Sequence, residues 1–317
     1  MFVVVGNLVA DVFVSGMQTL PGVGGDEYMA SNVALFPRAP VLTIGGNGGN
    51  TAYVLATLGE RAGIFGATGD DDFGRMVRGW LSGRGVAIEH VKISRASTSM
   101  TVVATDQTLN RVAYHHAGAN DDFSLSEIPA LLLNQARVLL VTSYTICARM
   151  RDATALRRLF ETARAAGAVT ALDIGPDISE RLLIEEIAPA LPHLDYLLCN
   201  AHELSAFTGC DDVDAGIAKV RTTGVGCVVA KRGKAGARLG DAAGLVDVPG
   251  YTVEARFTVG AGDSFDAGFL LGVSKNWTNV ECARFGNAVA ALVVSGSNGV
   301  LGAPSYDKVL DLIRRKL

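Results

Sequence analysis

Long apolar runs are missing from this 317-residue chain. The longest purely apolar stretch runs only from Ala288 to Val294, far short of the ~20 residues that a membrane-crossing helix needs, so no membrane partner is expected. Blocks of like charge are missing too. The 28 Lys and Arg are set against 32 Asp and Glu, for a net charge of -4, and no segment could track a phosphate backbone, so nucleic acid is not an expected partner. Cysteine is sparse. Cys147, Cys199, Cys210, Cys227 and Cys282 lie far apart and are odd in number, with no C-x-x-C and no histidine at zinc-ligand spacing. This usage fits a reduced, cytoplasmic protein. MFVVVGNLVAD at the start lacks a basic region before its apolar run, so it reads as a buried strand that stays in the mature protein.

What is present is a core and a great deal of glycine. A hydrophobic share of 49% and a mean hydropathy of +0.29 exclude disorder and supply one large domain or two smaller ones. The 37 glycines exceed the average of roughly 7% and cluster just after apolar runs, where bare backbone can approach a ligand.

From about Arg137 onward, continuous apolar runs alternate with stretches of helical period. In order these are RVLLVTS, Met150 to Ala166, AVTALDIG, Ser179 to Leu191, DYLLCN, Glu203 to Thr208, Val213 to Thr223 and VGCVVAK. FVVV and AGIFGATG add two more strands, and helices are expected near Asp263 to Val273, Val280 to Val294 and Tyr306 to Arg315. Strands so continuously apolar are buried on both faces, which predicts a doubly wound, mostly parallel α/β sheet with helices on both faces. Residues 12–40 and the pair MTVVATD and RVAYHH break this rhythm and read as antiparallel strands. They predict a small β-sheet lid able to exclude water from a reaction, with two unrelated surface hairpins as the alternative.

Three nucleotide and hydrolase signatures fail. There is no G-x-x-x-x-G-K-[ST], no third glycine to complete a Rossmann fingerprint and no G-x-S-x-G elbow. What remains is FTVGAGDSFDAGF at 257–269, where Gly260, Ala261 and Gly262 feed a helix N-terminus. Free N–H groups and the positive end of the helix dipole suit a phosphate there, and the dipole favours an ionised Asp263 in the first turn. A carboxylate base beside an anion hole is what phosphoryl transfer to a hydroxyl needs. A plain helix cap, with Asp263 merely capping, is the alternative. A second cluster, IGGNGGNTAYVLATLG at 44–59, also opens a helix, and its Asn47 and Asn50 can both donate to and accept from sugar hydroxyls. It too has a bland alternative, a glycine turn that packs helix on sheet.

The two glycine motifs together resemble the signatures of the ribokinase, or PfkB, family of carbohydrate kinases. GNLVAD, GATGDDDFG at 66–74, HAGAN at 116–120, NAHE at 200–203, KRGKAG at 231–236 and NAVAA at 287–291 follow in the family's order. The resemblance implies a ribokinase-like fold, with residues 1–11, 41–97 and 118–317 forming the large nucleotide- and substrate-binding domain and 12–40 with 98–117 the lid. It implies ATP-dependent phosphorylation of a hydroxymethyl group on a sugar or sugar-like acceptor. Asp263 becomes the base, with Gly260, Ala261 and Gly262 as anion hole. Asp11, Gly45, Gly46 and Asn50 become the acceptor site. Asn200 and Glu203 match an N-x-x-E that places Mg2+ through water, with a strand end and helix cap as their plain alternative. Lys231 and Gly233 fall near the phosphates and Asn287 beside the adenine, although Lys231 also fits a solvated surface lysine. Pairing of two subunits through the β lid is a further expectation.

Departures from the family sharpen the reading. Where its members that bind a monovalent cation have Asp, this chain has Phe257, which offers a hard cation no oxygen, so potassium activation is not expected. Val9 stands where ribokinase has an asparagine, and VTSYT lacks ribokinase's glutamate, so ribose is not the favoured acceptor. Tyr144 and Phe36 as an aromatic surface would suit a nucleoside kinase, and a catalytically idle sugar-binding homologue is the other alternative.

Overall fold

The computed structural model describes residues 1–17, 35–108, 110–176 and 181–315. The chain opens with β1 (Phe2–Val5), β2 (Val9–Met17), β3 (Val41–Gly45) and α1 (Asn47–Thr57). It continues through β4 (Ala62–Gly69), α2 (Asp72–Gly83), β5 (Val91–Ser94) and the hairpin β6 (Ser99–Asp106) and β7 (Arg111–His116). The βα run then begins with α3 (Ala130–Leu133), β8 (Val138–Val141), α4 (Ala153–Ala165) and β9 (Val169–Asp173). It goes on with β10 (Tyr196–Asn200), α5 (Ala201–Thr208), α6 (Val213–Arg221) and β11 (Cys227–Lys231). Last come β12 (Ala237–Asp241), β13 (Gly244–Val248), α7 (Ala261–Ser274), α8 (Asn279–Ser295) and α9 (Tyr306–Arg315).

Nine strands form one sheet in the order β13-β12-β11-β10-β9-β8-β1-β4-β5. From β11 to β5 every pairing is parallel, while β12 and β13 are added antiparallel. Alternation along β1 explains why both faces need cover: Phe2 and Val4 enter the core under α1, α2, α7 and α8, whereas Val3 and Val5 enter the core under α4, α5 and α6. Helices α7 and α8 cross closely because Gly268 faces Gly286, where a Cβ would come within 2.9 Å of the opposing Cα. No helix among the described residues is long and apolar enough to cross a membrane.

A second sheet, β3-β2-β6-β7, stands apart. It includes Val9–Asp11 and Val41–Gly45, residues grouped in sequence with the large domain, and residues 18–34 of the expected 12–40 segment lie outside the described residues. The expectation of antiparallel pairing is corrected in one place. β2 and β3 pair antiparallel, as do β6 and β7, but β2 and β6 are parallel. The tight turn between β6 and β7 forces antiparallel pairing, whereas β2 and β6 are separated by a βαβ excursion that lets the chain re-enter in the same direction. The junction between the two sheets is fixed at Leu8, whose backbone N–H donates to Asn120 Oδ1 at 3.0 Å and whose carbonyl accepts from Asn120 Nδ2 at 3.1 Å.

The helix expected over 179–191 is also corrected. Residues 177–180 lie outside the described part, and the chain beyond them makes two short 3₁₀ turns, Ile184–Ile187 and Leu191–His193. Pro189 and Pro192 each remove a donor and clash with the preceding turn, so no α-helix can run through them.

Candidate active site

Strand order reverses between β1 and β8, and the carboxyl ends of parallel strands at such a point form a crevice. Asn7, Thr142 and Ser143 line it, Ser143 Oγ donating to Asn7 Oδ1 at 2.7 Å. The two glycine motifs converge beside it. Gly260, at φ +78, is the N-cap of α7 and makes no side-chain cap, so the first N–H groups of the helix, at Ala261, Gly262 and Asp263, have no partner within it. Asp263 is buried, and its Oδ2 accepts a hydrogen bond from Asn50 Nδ2 at 2.7 Å. The carboxylate is therefore turned toward α1, which removes the reading of Asp263 as a mere cap. Burial raises its pKa to about 6, against the opposing hydrogen bond from Asn50. The expected depression by the helix dipole is outweighed, although the group is still largely ionised at neutral pH.

Asp11 approaches from the other sheet. It is 6% exposed, burial lifts its pKa to about 7, a hydrogen bond with Thr101 opposes that, and the charge of Asp263 adds to it. The Asp11 carboxylate lies over Gly45, where a Cβ would come within 2.2 Å of it. Gly46 has φ +79, and a Cβ there would press on the Asn7 carbonyl at 2.6 Å. Glycine is thus required at Gly46, and at Gly45 its bareness makes room for the Asp11 carboxylate. Asn50 Oδ1 and Thr43 Oγ1 are buried without partners.

Behind the first turn of α7 lies a buried ion cluster that motif reading missed. Lys231 Nζ, at the end of β11, is 2.5 Å from Asp173 Oδ2 and 3.0 Å from both carboxylate oxygens of Asp266. A Cβ on Gly262 would sit 3.5 Å from that ammonium. Burial alone would depress Lys231, but the two carboxylates outweigh it and hold it charged. Burial pushes Asp266 well up, while the charge of Lys231 outweighs burial at Asp173 and holds it low. Lys231 is not a solvated surface lysine, and Asp173 and Asp266 belong beside it. The only sequence signal for them was an Asp at a strand's carboxyl end and an Asp one helical turn after Asp263.

Asn200 and Glu203 form a reciprocal capping box. Asn200 Oδ1 accepts from the Glu203 N–H at 2.8 Å, and Glu203 Oε2 from the Asn200 N–H at 2.7 Å. Burial, reinforced by Asp173, raises Glu203 to about 7. Gly233, at φ +56, opens the turn after β11 with nothing within 4 Å of a Cβ. Asn287 Nδ2 donates to the carbonyls of Val248 and Pro249. Beside that tether is a hollow of about 310 Å³ lined by Val248, Pro249, Tyr251 and Arg284. Phe257 packs edge-on against Phe13 of β2, centroids 4.4 Å apart, and Gly299 leaves room for its ring. Tyr144 is in the core at 1% exposure, so it offers no aromatic surface to a nucleobase.

A buried, oriented carboxylate at the mouth of an unpaired helix N-terminus has the chemistry that transfer of a phosphoryl group to an alcohol needs. The chain belongs to the pfkB family of carbohydrate kinases, whose sequence pattern matches residues 27–305. It is an ATP-dependent carbohydrate kinase. It is 30% identical over 270 residues to a nucleoside kinase of Methanothermobacter thermautotrophicus, covering 85% of this chain and 84% of that one. With an ATP-dependent ribose-1-phosphate kinase of Halopiger xanaduensis it shares 31% identity over 273 residues, 84% of each chain. The fold matches that of Arabidopsis thaliana ribokinase complexed with ribose and ATP, with a TM-score of 0.80 and 23% identity, covering 99% of this chain and 98% of that one.

Proposed function

We propose that the enzyme transfers the γ-phosphoryl group of ATP to a hydroxymethyl group of a sugar or sugar-like acceptor. The observation that carries the assignment is Asp263, buried at the first turn of α7 and held by Asn50. In this reading Asp11, Gly45, Gly46 and Asn50 hold the acceptor so that its hydroxyl faces Asp263. The hydroxyl oxygen attacks phosphorus, its proton passes to Asp263, and the bond to ADP breaks. The N–H groups of the Gly260–Gly262 turn offset charge on the moving phosphoryl. Lys231, held under Gly262 by Asp173 and Asp266, braces that turn from behind, and Gly233 leaves space for the phosphates. The hollow beside Asn287 suits the nucleotide base, with Asn287 fixing its wall.

Mg2+ would come with the triphosphate. Glu203 retains one oxygen outside its capping bond, and Asn200 its amide nitrogen, so the pair fits an ion held through water rather than by direct ligation. The ion would neutralise phosphate charge. The four-stranded sheet of β2, β3, β6 and β7 is proposed as the lid. Its outer face carries the row Leu42, Val12, Val102 and Tyr114, with Leu42 and Tyr114 exposed, which supports pairing of two subunits there. A cytoplasmic location fits the reduced cysteines.

A nucleoside acceptor remains the alternative, weakened by the burial of Tyr144. ADP release measured with D-fructose, D-ribose, ribose 1-phosphate and adenosine tests both. Acceptor-dependent release with a sugar, abolished in Asp263→Asn, is the expected result. A preference for adenosine would shift the assignment to nucleosides, and release indifferent to every acceptor would overturn it.

A further inference from the structure

The inner face of the small sheet carries one continuous polar row. Register pairs Asp11 with Thr43 on β3 and with Thr101 on β6, and pairs Thr101 with His115 on β7. Residues directly opposite on neighbouring strands project to the same face, so Thr43, Asp11, Thr101 and His115 stand in line across four strands. The flanking rows differ in kind. On one side Gly45, beside Val9 and Ser99, leaves bare backbone beneath the Asp11 carboxylate, and on the other Val41, Phe13, Val103 and Ala113 are apolar.

The two ends of the row are chemically unlike. Thr43 is 1% exposed, and its hydroxyl has no hydrogen-bond partner, a state that a buried polar group ordinarily avoids. The second orphaned atom nearby is Asn50 Oδ1. It can only accept, so it requires a donor such as a hydroxyl. At the other end, Thr101 stands opposite Asp11 in register, and its Oγ1 lies 3.0 Å from His115 Nδ1. Threonine has one proton to give. If it serves the Asp11 carboxylate, Thr101 Oγ1 must accept from His115 Nδ1–H, which fixes the imidazole tautomer and the Thr101 rotor together.

We infer that Thr43 is a specificity-determining residue that binds a second hydroxyl of the acceptor, and that His115 is a positioning residue that holds Asp11 through Thr101. This rests on the acceptor site proposed above and adds to it two residues outside the glycine motifs. The acceptor it describes is a polyol with at least one hydroxyl beyond the one phosphorylated, lying between Thr43, Asp11 and Asn50.

Thr43→Val tests the inference through two effects of opposite sign. Valine has the same shape without the hydroxyl, so the free protein loses an unpaired buried group and its Tm should hold or rise. Acceptor KM should rise about tenfold, equivalent to about 1.4 kcal/mol, while the KM for ATP is unchanged. Thr43→Ser, which keeps the hydroxyl, should restore acceptor KM. His115→Ala should raise acceptor KM with little change in kcat or in the KM for ATP, and His115→Asn, whose amide can donate from a similar place, should restore it. The best acceptor among D-fructose, D-ribose, ribose 1-phosphate and adenosine serves as the probe, with Asp11→Asn measured alongside. If Asp11→Asn weakens that acceptor and Thr43→Val does not, the Thr43 assignment is overturned and the acceptor site stands. A fall in Tm for Thr43→Val with no change in acceptor KM would likewise show a structural hydroxyl. If Asp11→Asn also leaves acceptor KM unchanged, or the wild-type chain phosphorylates none of the four, the acceptor site itself is overturned.

Discussion

Asn50 Nδ2 donates to Asp263 Oδ2 across 2.7 Å, joining residues 213 positions apart in the chain. The bond ties the start of α1 to the start of α7, so the proposed acceptor and phosphoryl halves of the site share one hydrogen bond. Replacing Asp263 with Asn keeps shape and volume but removes the proton acceptor. The expected loss is about 10²–10⁴-fold in kcat, with nucleotide affinity retained. Steady-state kinetics and ATP titration calorimetry on the purified variant check both halves of that statement, and near-full kcat would remove Asp263 from the base role.

Activity and stability should respond to pH in opposite directions. Asp263 must be ionised to accept a proton, so kcat should climb as pH rises through about 6. The folded values of Asp263, Asp11 and Glu203 lie above those of the unfolded chain, at about 6, 7 and 7. Between about 4 and these values the folded protein holds protons that the unfolded chain has released, and stability falls as pH rises through that window. Carboxylates held low, such as Asp71 and Asp173, lose their contribution only below about pH 4, outside it. Urea denaturation at pH about 5 and about 7.5, for the wild type and Asp263→Asn, should show the wild type losing more stability on the rise. An equal loss in both would show that Asp263 carries no raised pKa.

Removing Lys231 should be costly. Lys231→Met leaves Asp173 and Asp266 buried without a counter-charge, an arrangement that typically costs about 3–5 kcal/mol. Asp266→Asn in the same chain should recover part of the loss, because it removes one of the two carboxyl groups left facing each other. Chemical denaturation of the single and double variants measures this. A Lys231→Met protein as stable as wild type would mean that the ammonium does not hold these carboxylates together.

Sodium should replace potassium without changing kcat. Phe257 packs on Phe13 beneath Gly299, so apolar contact holds the segment before the anion hole where an acidic residue would have offered oxygen. A saturable tenfold gain in kcat on adding potassium at constant ionic strength, about 1.4 kcal/mol of barrier, would contradict this.

The large sheet and the glycine turns were legible because their signals are local. Continuous apolar runs announce strands buried on both faces, and a glycine before a helix announces an open N-terminus. Asp173 and Asp266 were not legible, since an aspartate becomes a partner of Lys231 only when β9, β11 and α7 are brought together. The tie from Asn287 Nδ2 to the carbonyls of Val248 and Pro249 was not legible for the same reason, since it joins α8 to the end of β13. Nothing in the local pattern around Thr43 marks its hydroxyl as unpaired, because that depends on what β2 places opposite it.

Asn120 clasps Leu8 by both of its backbone groups, and there the chain passes from one sheet to the other. Asp11 and Thr43 ride on the strands beyond that clasp, whereas Asp263 and Lys231 belong to the body before it. The enzyme is therefore divided like a tool with an interchangeable head. On the proposed assignment of the acceptor site, substitutions in the four-stranded sheet act first on which alcohol is gripped, while Asp263 and Lys231 stay in place. A chimaera that exchanges those strands for a relative's, with Leu8 and Asn120 kept in place, is the natural unit for re-engineering this catalyst.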